Sequence, residues 1–121
     1  MLTSNTNYNS ALVIDDDNDL CLLLKSLLET LMPSVYCADN LRSGLYAIAK
    51  HKPDVIFVDN NLPDGQSSDF ISQMKTLSPR SVIILISAID NFTENAKEFG
   101  ADGFIAKPLT IDSIKQALKE N

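Results

Sequence analysis

Five short apolar runs divide the chain, and each is followed by a segment in which apolar residues recur at helical spacing. The runs are rich in β-branched residues and lack the alternation of a half-exposed strand, so each is predicted to be a strand buried on both faces. They cover residues 11–14, 35–38, 55–58, 82–86 and 103–106. Strands of this kind are typical of parallel sheets that helices cover on both faces.

The segments that follow the runs predict five amphipathic helices. The inner face of the first helix is formed by Leu20, Leu23, Leu24, Leu27, Leu28 and Leu31, that of the second by Leu41, Leu45 and Ile48, and that of the third by Phe70, Ile71, Met74 and Leu77. The fourth helix is weaker, with Phe92, Ala96 and Phe99 on its inner face, and it ends at Gly100. The last helix has Ile111, Ile114, Ala117 and Leu118 on its inner face. Asp17 or Asn18 can cap the first helix. Asp39 or Asn40 can cap the second, and Thr110 the last.

Strands and helices that alternate at this interval pair in parallel through right-handed crossovers. The prediction is therefore an α/β domain in which a five-stranded parallel sheet carries helices on both faces, and 121 residues suffice for one such domain. Residues 1–10 are polar and contain neither a basic segment nor an apolar core. We expect them to form a disordered lead-in to a domain that covers residues 11–121.

Polar residues stand where four of the five predicted strands end: Asp15 and Asp16, Asp59, Ser87, and Lys107. Each one alone is more often a cap, a turn former or a solvated charge than a functional group. Parallel strands, however, place their carboxyl ends at one edge of the sheet, where α/β proteins bind ligands. The shared position of these five residues therefore favours a functional site.

The chemistry of such a cluster points to phosphoryl transfer. Two carboxylates about 4 Å apart repel each other by roughly 4 kcal/mol at an effective dielectric near 20, so three of them favour a bound cation or a raised pKa. Mg²⁺ prefers carboxylate and water oxygens together with phosphate oxygens. With Lys107 as a second positive charge and Ser87 as a hydroxyl donor, Asp59 could attack a phosphoryl group in line.

Composition excludes several other classes of protein. The net charge is −6 and the ten Lys and Arg residues form no run, so we expect no direct binding to nucleic acid. No apolar segment approaches the roughly 18 residues of a membrane span, so no span is predicted. A domain of this size needs no disulfide, and we expect a cytoplasmic protein. Cys21 and Cys37 follow no ligand or redox spacing and are interpreted as small buried residues. The only histidine, His51, is interpreted as a helix C-terminal cap or a surface group, which leaves a serine triad without a base.

These residues resemble a known family, the receiver domains of two-component response regulators. The resemblance extends from Ala11 to the last helix and rests on Asp15-Asp16 after the first strand, Asp59 followed four residues later by Pro63, Ser87-Ala88 after the fourth strand, and Lys107-Pro108 after the fifth. It implies a flavodoxin-like, doubly wound (βα)5 fold with the strand order 2-1-3-4-5.

The resemblance also implies roles for the residues of the cluster. Asp59 would be the phosphoacceptor. Asp16, Asp59 and the backbone carbonyl of Asn61 would bind Mg²⁺ directly, Asp15 would act mainly through water, and Mn²⁺ can substitute for Mg²⁺. Lys107 would pair with the phosphoryl oxygens.

Further implications concern the switch and its partners. Ser87 would follow the phosphoryl group, the Lys107–Pro108 bond would be cis, and Phe104 would be the aromatic residue whose rotamer reports phosphorylation. The donor would be a sensor histidine kinase or a histidine phosphotransfer protein. The face formed by the fourth helix, fifth strand and fifth helix would then engage a downstream protein or an output domain, or form a phosphorylation-dependent dimer.

Two departures from the family pattern concern particular positions. Phe104 stands where the family often has tyrosine, so it carries no hydroxyl for coupling. Ser67 stands eight residues after Asp59, where the family commonly has glycine, and Gly65 is the residue to which the positive φ of this loop is expected to have moved.

The functional interpretation is a phosphorylation-operated switch, either as a stand-alone receiver or as the receiver part of a longer regulator. A Mg²⁺-dependent phosphohydrolase with Asp59 as nucleophile is the alternative, although a haloacid-dehalogenase-type enzyme would have Asp where this chain has Asn61. A receiver-like binding module that is never phosphorylated is a further alternative, which the intact acidic residues and Lys107 disfavour.

Overall fold

The computed structural model describes residues 8–88 and 99–121. Its elements are β1 (Ser10–Ile14), α1 (Asn18–Glu29), β2 (Ser34–Ala38), α2 (Leu41–His51), β3 (Val55–Asp59), β4 (Asn61–Leu62), β5 (Gly65–Gln66), a 3₁₀ turn (Ser67–Phe70), α3 (Ile71–Leu77), β6 (Val82–Ser87), β7 (Gly103–Ala106) and α4 (Ile111–Glu120). The predicted fourth helix, with Phe92 and Ala96, falls mainly within residues 89–98 and therefore lies outside the described residues.

The five long strands form one parallel sheet in the order β2-β1-β3-β6-β7. Because β6 and β7 are the fourth and fifth predicted strands, this order confirms the predicted 2-1-3-4-5 arrangement and the flavodoxin-like α/β fold. The short antiparallel pair β4 and β5 was not predicted. It lies in the loop that directly follows Asp59.

The central strands are buried on both faces, as their apolar runs predict. In β1, Ala11 and Val13 face a core layer that includes side chains of α1 and α4, while Leu12 and Ile14 face a second layer that includes α2 and α3. All four side chains are fully buried. Burial of a large aliphatic side chain contributes about 1.5–3 kcal/mol, so these two layers fix the sheet that carries the candidate site.

Gly44 allows α2 to pack closely against the end of β1. A Cβ atom at this position would lie 2.6 Å from Cδ1 of Ile14 and 3.2 Å from its Cγ1 and Cγ2. Ile14 is the last residue of β1 and precedes Asp15. The small residue in the middle of α2 thus sets the spacing of two elements next to the acidic cluster.

The structure decides between the alternative helix caps. The Asp17 side chain accepts hydrogen bonds from the amides of Asp19 and Leu20, and Asn40 accepts one from the amide of Ser43. Thr110 caps α4 as predicted, through a reciprocal capping box with Ser113.

Residues 9 and 10, which precede the predicted domain boundary at residue 11, contact the sheet. Ser10 pairs with Ser34 in the sheet, and the Asn9 amide donates to Oδ2 of Asp54 at 2.6 Å. The amide of Ser34 also donates to the carbonyl of Asn9 at 3.2 Å, and the amide of Asp54 donates to the carbonyl of Ser10 at 3.1 Å. The first seven residues of the predicted lead-in lie outside the described residues.

The prediction for the cysteines is wrong for Cys37. Cys21 is buried in α1, but Cys37, in the edge strand β2, is exposed. His51 is the last residue of α2, where its ring stacks on Tyr36 with the centroids 3.9 Å apart. No helix among the described residues is long and apolar enough to cross a membrane.

Candidate acidic site at the carboxyl edge of the sheet

The strand register brings the predicted site residues to one edge of the sheet. Ile14 pairs with Val58, and Asp59 pairs with Ile86. The last pair of β6 and β7 is Ser87 with Ala106, and the amide of Lys107 donates to the carbonyl of Ser87 at 2.9 Å. The residues that end or follow these strands are Asp15, Asp16, Asp59, Ser87 and Lys107.

Three carboxylates form a compact cluster at this edge. One oxygen atom from each of Asp15, Asp16 and Asp59 lies within 4.8 Å of the others. Asp15 and Asp59 are buried, with 1% and 6% of their surface exposed, whereas Asp16 faces solvent. Oδ2 of Asp15 is buried and has no hydrogen-bond partner among the described residues. A donor set of hard oxygens that includes one unpartnered oxygen fits a divalent cation such as Mg²⁺.

Lys107 supplies the positive charge of the site. Its Nζ donates a hydrogen bond to Oδ2 of Asp59 at 3.0 Å and lies 3.8 Å from Oδ2 of Asp15, which is too far for a hydrogen bond but close enough for an ion pair. Burial alone would lower the pKa of Lys107, but the hydrogen bond to Asp59 and the three carboxylates outweigh it, so its pKa is raised. The ammonium group is therefore fully charged at neutral pH.

The surroundings of Asp15 compensate its negative charge only in part. Burial raises its pKa, and the charges of Asp59 and Asp16 raise it further. The hydrogen bond from the Asp17 amide to Oδ1 at 2.9 Å and the charge of Lys107 oppose this shift without cancelling it. One ammonium group thus does not neutralise the cluster.

A network of hydrogen bonds holds the backbone of Asp59. The amide of Asn60 donates to the carbonyl of Ile86 at 2.8 Å, which ties the end of β3 to β6. The Ser67 hydroxyl donates to the carbonyl of Asp59 at 2.5 Å, and the Ser67 amide donates to the carbonyl of Asn60 at 2.8 Å. The amide of Ser68 donates to Oδ1 of Asn60. These buried polar contacts fix the position of the candidate phosphoacceptor.

Sequence reasoning missed the roles of Asn60, Ser67 and Asp64. Asp64 receives hydrogen bonds from the amides of Leu41 and Arg42 at 2.8 and 3.0 Å, so it satisfies the first turn of α2 from a distant loop. These bonds lower the pKa of Asp64. No local pattern indicates a capping residue 23 positions away. Pro63, Gly65 and the polar residues directly after Asp59 indicate a loop, but not these contacts.

The loop after Asp59 contains the departure noted at position 67. Gly65 has a φ of +149°, so the positive φ lies there, and Ser67 is completely buried. The amide of the exposed Asn61 donates to Oδ1 of Asp59 at 3.2 Å, while the predicted role of its carbonyl as a metal ligand stays a prediction.

The remaining predicted residues lie around the cluster. Ser87 is completely buried at the end of β6, and Phe104 is half-buried in β7 against the core layer of α2 and α3. The Lys107–Pro108 peptide bond is cis, as expected.

An acidic triad and a lysine at the carboxyl edge of a doubly wound five-stranded sheet define a receiver-type α/β domain. The family model of the response regulator receiver domain matches residues 11–119. The chain therefore belongs to this family of two-component signalling proteins.

Two characterised relatives differ in how much of their length the chain covers. It is 31% identical over 111 residues to the KDP operon transcriptional regulatory protein KdpE of Escherichia coli, an alignment that covers 91% of the chain and 49% of KdpE. It is 26% identical to the sporulation initiation phosphotransferase F of Bacillus subtilis, with 90% of each protein covered. The chain thus spans about half the length of KdpE and nearly all of phosphotransferase F.

Solved structures of similar fold include receiver proteins from several sources. A response regulator from Burkholderia pseudomallei, solved with a phosphorylated aspartic acid, a calcium ion and citrate, has a TM-score of 0.83 at 28% identity and matches 91% of this chain and 66% of that one. A response regulator from Clostridium difficile also has a TM-score of 0.83 at 28% identity, with 92% and 93% covered. The beryllofluoride-activated NtrC4 receiver dimer has a TM-score of 0.79 at 31% identity, with 92% and 97% covered.

Proposed function

We propose that this protein accepts a phosphoryl group on Asp59 in a Mg²⁺-dependent reaction and thereby switches a surface for partner binding or phosphorelay. The observation that carries the proposal is the convergence of Asp15, Asp16 and Asp59 within 4.8 Å, with Nζ of Lys107 at 3.0 Å from Asp59. The aspartyl phosphate and calcium ion of the related Burkholderia pseudomallei structure support the same chemistry here.

The proposed donor is a phosphohistidine on a sensor kinase or on a histidine phosphotransfer protein. A carboxylate oxygen of Asp59 attacks the phosphorus atom in line, a P–O bond forms as the P–N bond breaks, and the histidine nitrogen leaves with the electron pair. The product is an aspartyl phosphate. The backbone contacts of Asn60 and Ser67 keep Asp59 in position during this step.

The acidic residues have separate roles in the proposed site. Asp16, Asp59 and the backbone carbonyl of Asn61 would bind Mg²⁺ or Mn²⁺ directly, and Asp15 would act mainly through a bound water. When bound, the cation supplies positive charge next to the phosphoryl oxygens. Lys107 moves its ion pair from the Asp59 carboxylate to the oxygens of the new phosphoryl group.

The switch would act through residues at the same edge of the sheet. Phosphorylation adds about 1.5–2 negative charges at Asp59, and the Ser87 hydroxyl and Phe104 would respond to them. Because Phe104 lacks a hydroxyl group, its response would be steric. We expect that a downstream partner, an attached output domain or a second copy of this chain binds the switched surface. We expect this binding to occur in the cytoplasm.

Labelling with a small acyl phosphate tests the proposal directly. The parent protein should gain the mass of one phosphoryl group in the presence of Mg²⁺ and none in EDTA, and Asp59→Asn should gain none. Asp112→Asn is the matched control, because Asp112 is an exposed acid in the first turn of α4. It should label like the parent.

Two outcomes would contradict the assignment. Equal labelling of the parent and Asp59→Asn would exclude Asp59 as the acceptor. Rapid multiple turnover of a phosphoester, without a stable phosphorylated protein, would instead favour the phosphohydrolase alternative.

A further inference from the structure

The two cysteines, which are 16 residues apart in the chain, meet at one surface pocket. Cys21 lies in α1 and Cys37 in the edge strand β2, and both line an open pocket of about 440 Å³ together with Asn18 and Asp39. The Cys37 Sγ donates to the carbonyl of Cys21 at 3.7 Å.

The pair has the asymmetry of a reacting and a resolving thiol. Cys37 is exposed and lines the open pocket, whereas Cys21 is buried with 5% of its surface exposed. A thiol that lies behind an accessible one can attack a mixed disulfide formed at the surface. We propose that Cys21 and Cys37 form an intramolecular disulfide by exchange with low-molecular-weight disulfides.

The proposed reaction balances in two steps. The Cys37 thiolate attacks one sulfur of the small disulfide, forms a mixed disulfide and releases one thiol. The Cys21 thiolate then attacks Sγ of Cys37, closes the Cys21–Cys37 bond and releases the second thiol. The two cysteines lose two electrons to the small disulfide, and their protons end on the two released thiols.

The environment of the thiols affects the rate of each step. Burial raises the pKa of Cys37 and, together with the neighbouring thiol, raises the pKa of Cys21 to about 12. Few thiolates are therefore present at neutral pH, and the first step is slow. The second step is intramolecular, so the proximity of the two groups offsets the low thiolate fraction.

The disulfide would reach the acidic site through the backbone of Asp15. The Cys21 thiol donates to the carbonyl of Asp15 at 3.3 Å, and the Asp15 amide donates to the carbonyl of Ala38, the residue after Cys37, at 3.0 Å. Oxidation removes the thiol proton and with it the first of these bonds. Resting on the function proposed above, we expect the oxidised protein to bind Mg²⁺ about twofold more weakly, because the Asp15 backbone loses a weak S–H···O contact that helps to hold it in place.

The thiols are tested with oxidised glutathione at mildly alkaline pH, and the products are measured by intact mass under non-reducing conditions. The parent should lose the mass of two hydrogen atoms, and both thiols should disappear together. Cys21→Ser should keep one glutathione on Cys37, and Cys37→Ser should stay reduced. Because Cys21 is buried, Cys21→Ala is a second variant, and circular dichroism checks that both variants fold.

Several results would overturn the proposal. The proposal is wrong if the parent protein stably carries glutathione, if it forms disulfide-linked dimers, or if its thiols do not react. A disulfide that forms without changing Mg²⁺ affinity would exclude the coupling to Asp15. Failure of the reduced protein to bind Mg²⁺ would contradict the proposed function, while the thiol count would still decide whether the disulfide forms.

Discussion

Replacing Asp15 by asparagine is expected to stabilise the metal-free protein, although Asp15 belongs to the proposed cation site. Asp15 is 1% exposed, and burial together with two neighbouring carboxylates raises its pKa. Asparagine keeps the oxygen that accepts from the Asp17 amide. Its amide group replaces Oδ2, which has no hydrogen-bond partner among the described residues, with a neutral donor.

The distances give the size of the effect. At the 4.8 Å limit of the cluster, each carboxylate pair repels by about 3.5 kcal/mol at an effective dielectric near 20, and Asp15 takes part in two such pairs. The ion pair with Lys107 at 3.8 Å offsets this by about 4.4 kcal/mol on the same scale. Removal of the charge therefore gains about 2–3 kcal/mol, and solvent around the exposed Asp16 reduces the expected gain to about 1–2 kcal/mol.

Urea denaturation in EDTA measures this difference. The Asp15→Asn variant should unfold at a higher urea concentration than the parent, with an unchanged m-value. Asp112→Asn removes an equal charge from the first turn of α4 and should lose no more than about 1 kcal/mol. The addition of Mg²⁺ at ten times its Kd should stabilise the parent by about 1.4 kcal/mol and the variant by less.

The pH dependence provides a second check with a defined sign. A raised pKa in the folded state stabilises the protein below the unfolded pKa, and this contribution is lost as the pH rises through the folded pKa. The advantage of Asp15→Asn over the parent should therefore be larger at neutral pH and shrink on acidification. A variant that is equally or less stable than the parent in EDTA at neutral pH would refute the reasoning.

Three further predictions concern the residues around the cluster. Lys107→Ala should retain Mg²⁺ binding but lose the change in the amide NMR spectrum that labelling of Asp59 produces; an unfolded variant would show that Lys107 is structural. Ser67→Ala leaves the buried carbonyl of Asp59 unpartnered and should cost about 1–3 kcal/mol in urea denaturation. Asp64→Ala should lower the melting temperature at neutral pH, because the first turn of α2 loses its cap. The folded-state pKa of Asp64 is lowered, so the difference in melting temperature between parent and variant should vanish as the pH falls through that pKa. A difference that persists in acid would contradict the capping role of Asp64.

The parallel sheet could be predicted from the sequence because the signals of its strands are local, whereas the order of the strands followed from the resemblance to receiver domains. Runs such as Val55–Val58 contain only apolar residues, and the connection rules for parallel strands limit how they combine. The same rules place Asp59 and Lys107 at one edge, although they are 48 residues apart. The sequence therefore predicts that the acidic residues and Lys107 lie close together.

The supporting contacts could not be predicted in this way because they join elements through single side chains. The bonds from Asp64 to the first turn of α2 and from Ser67 to the carbonyl of Asp59 depend on how loops fold back onto the sheet. Hydrophobic periodicity carries no information about such contacts. The same limit explains the cysteines, since the meeting of Cys21 and Cys37 depends on how α1 lies against an edge strand.

The loop after Asp59 shows why a serine can stand at position 67. The positive φ lies at Gly65, so residue 67 is free to carry a side chain, and its hydroxyl binds the carbonyl of Asp59. This contact holds the Asp59 backbone from the loop side, while the Asn60 amide holds it from β6. The backbone of Asp59 is thus held from two directions, while its carboxylate lies among like charges. A bound cation or a phosphoryl group can therefore change the charge of the site without first having to order the end of β3.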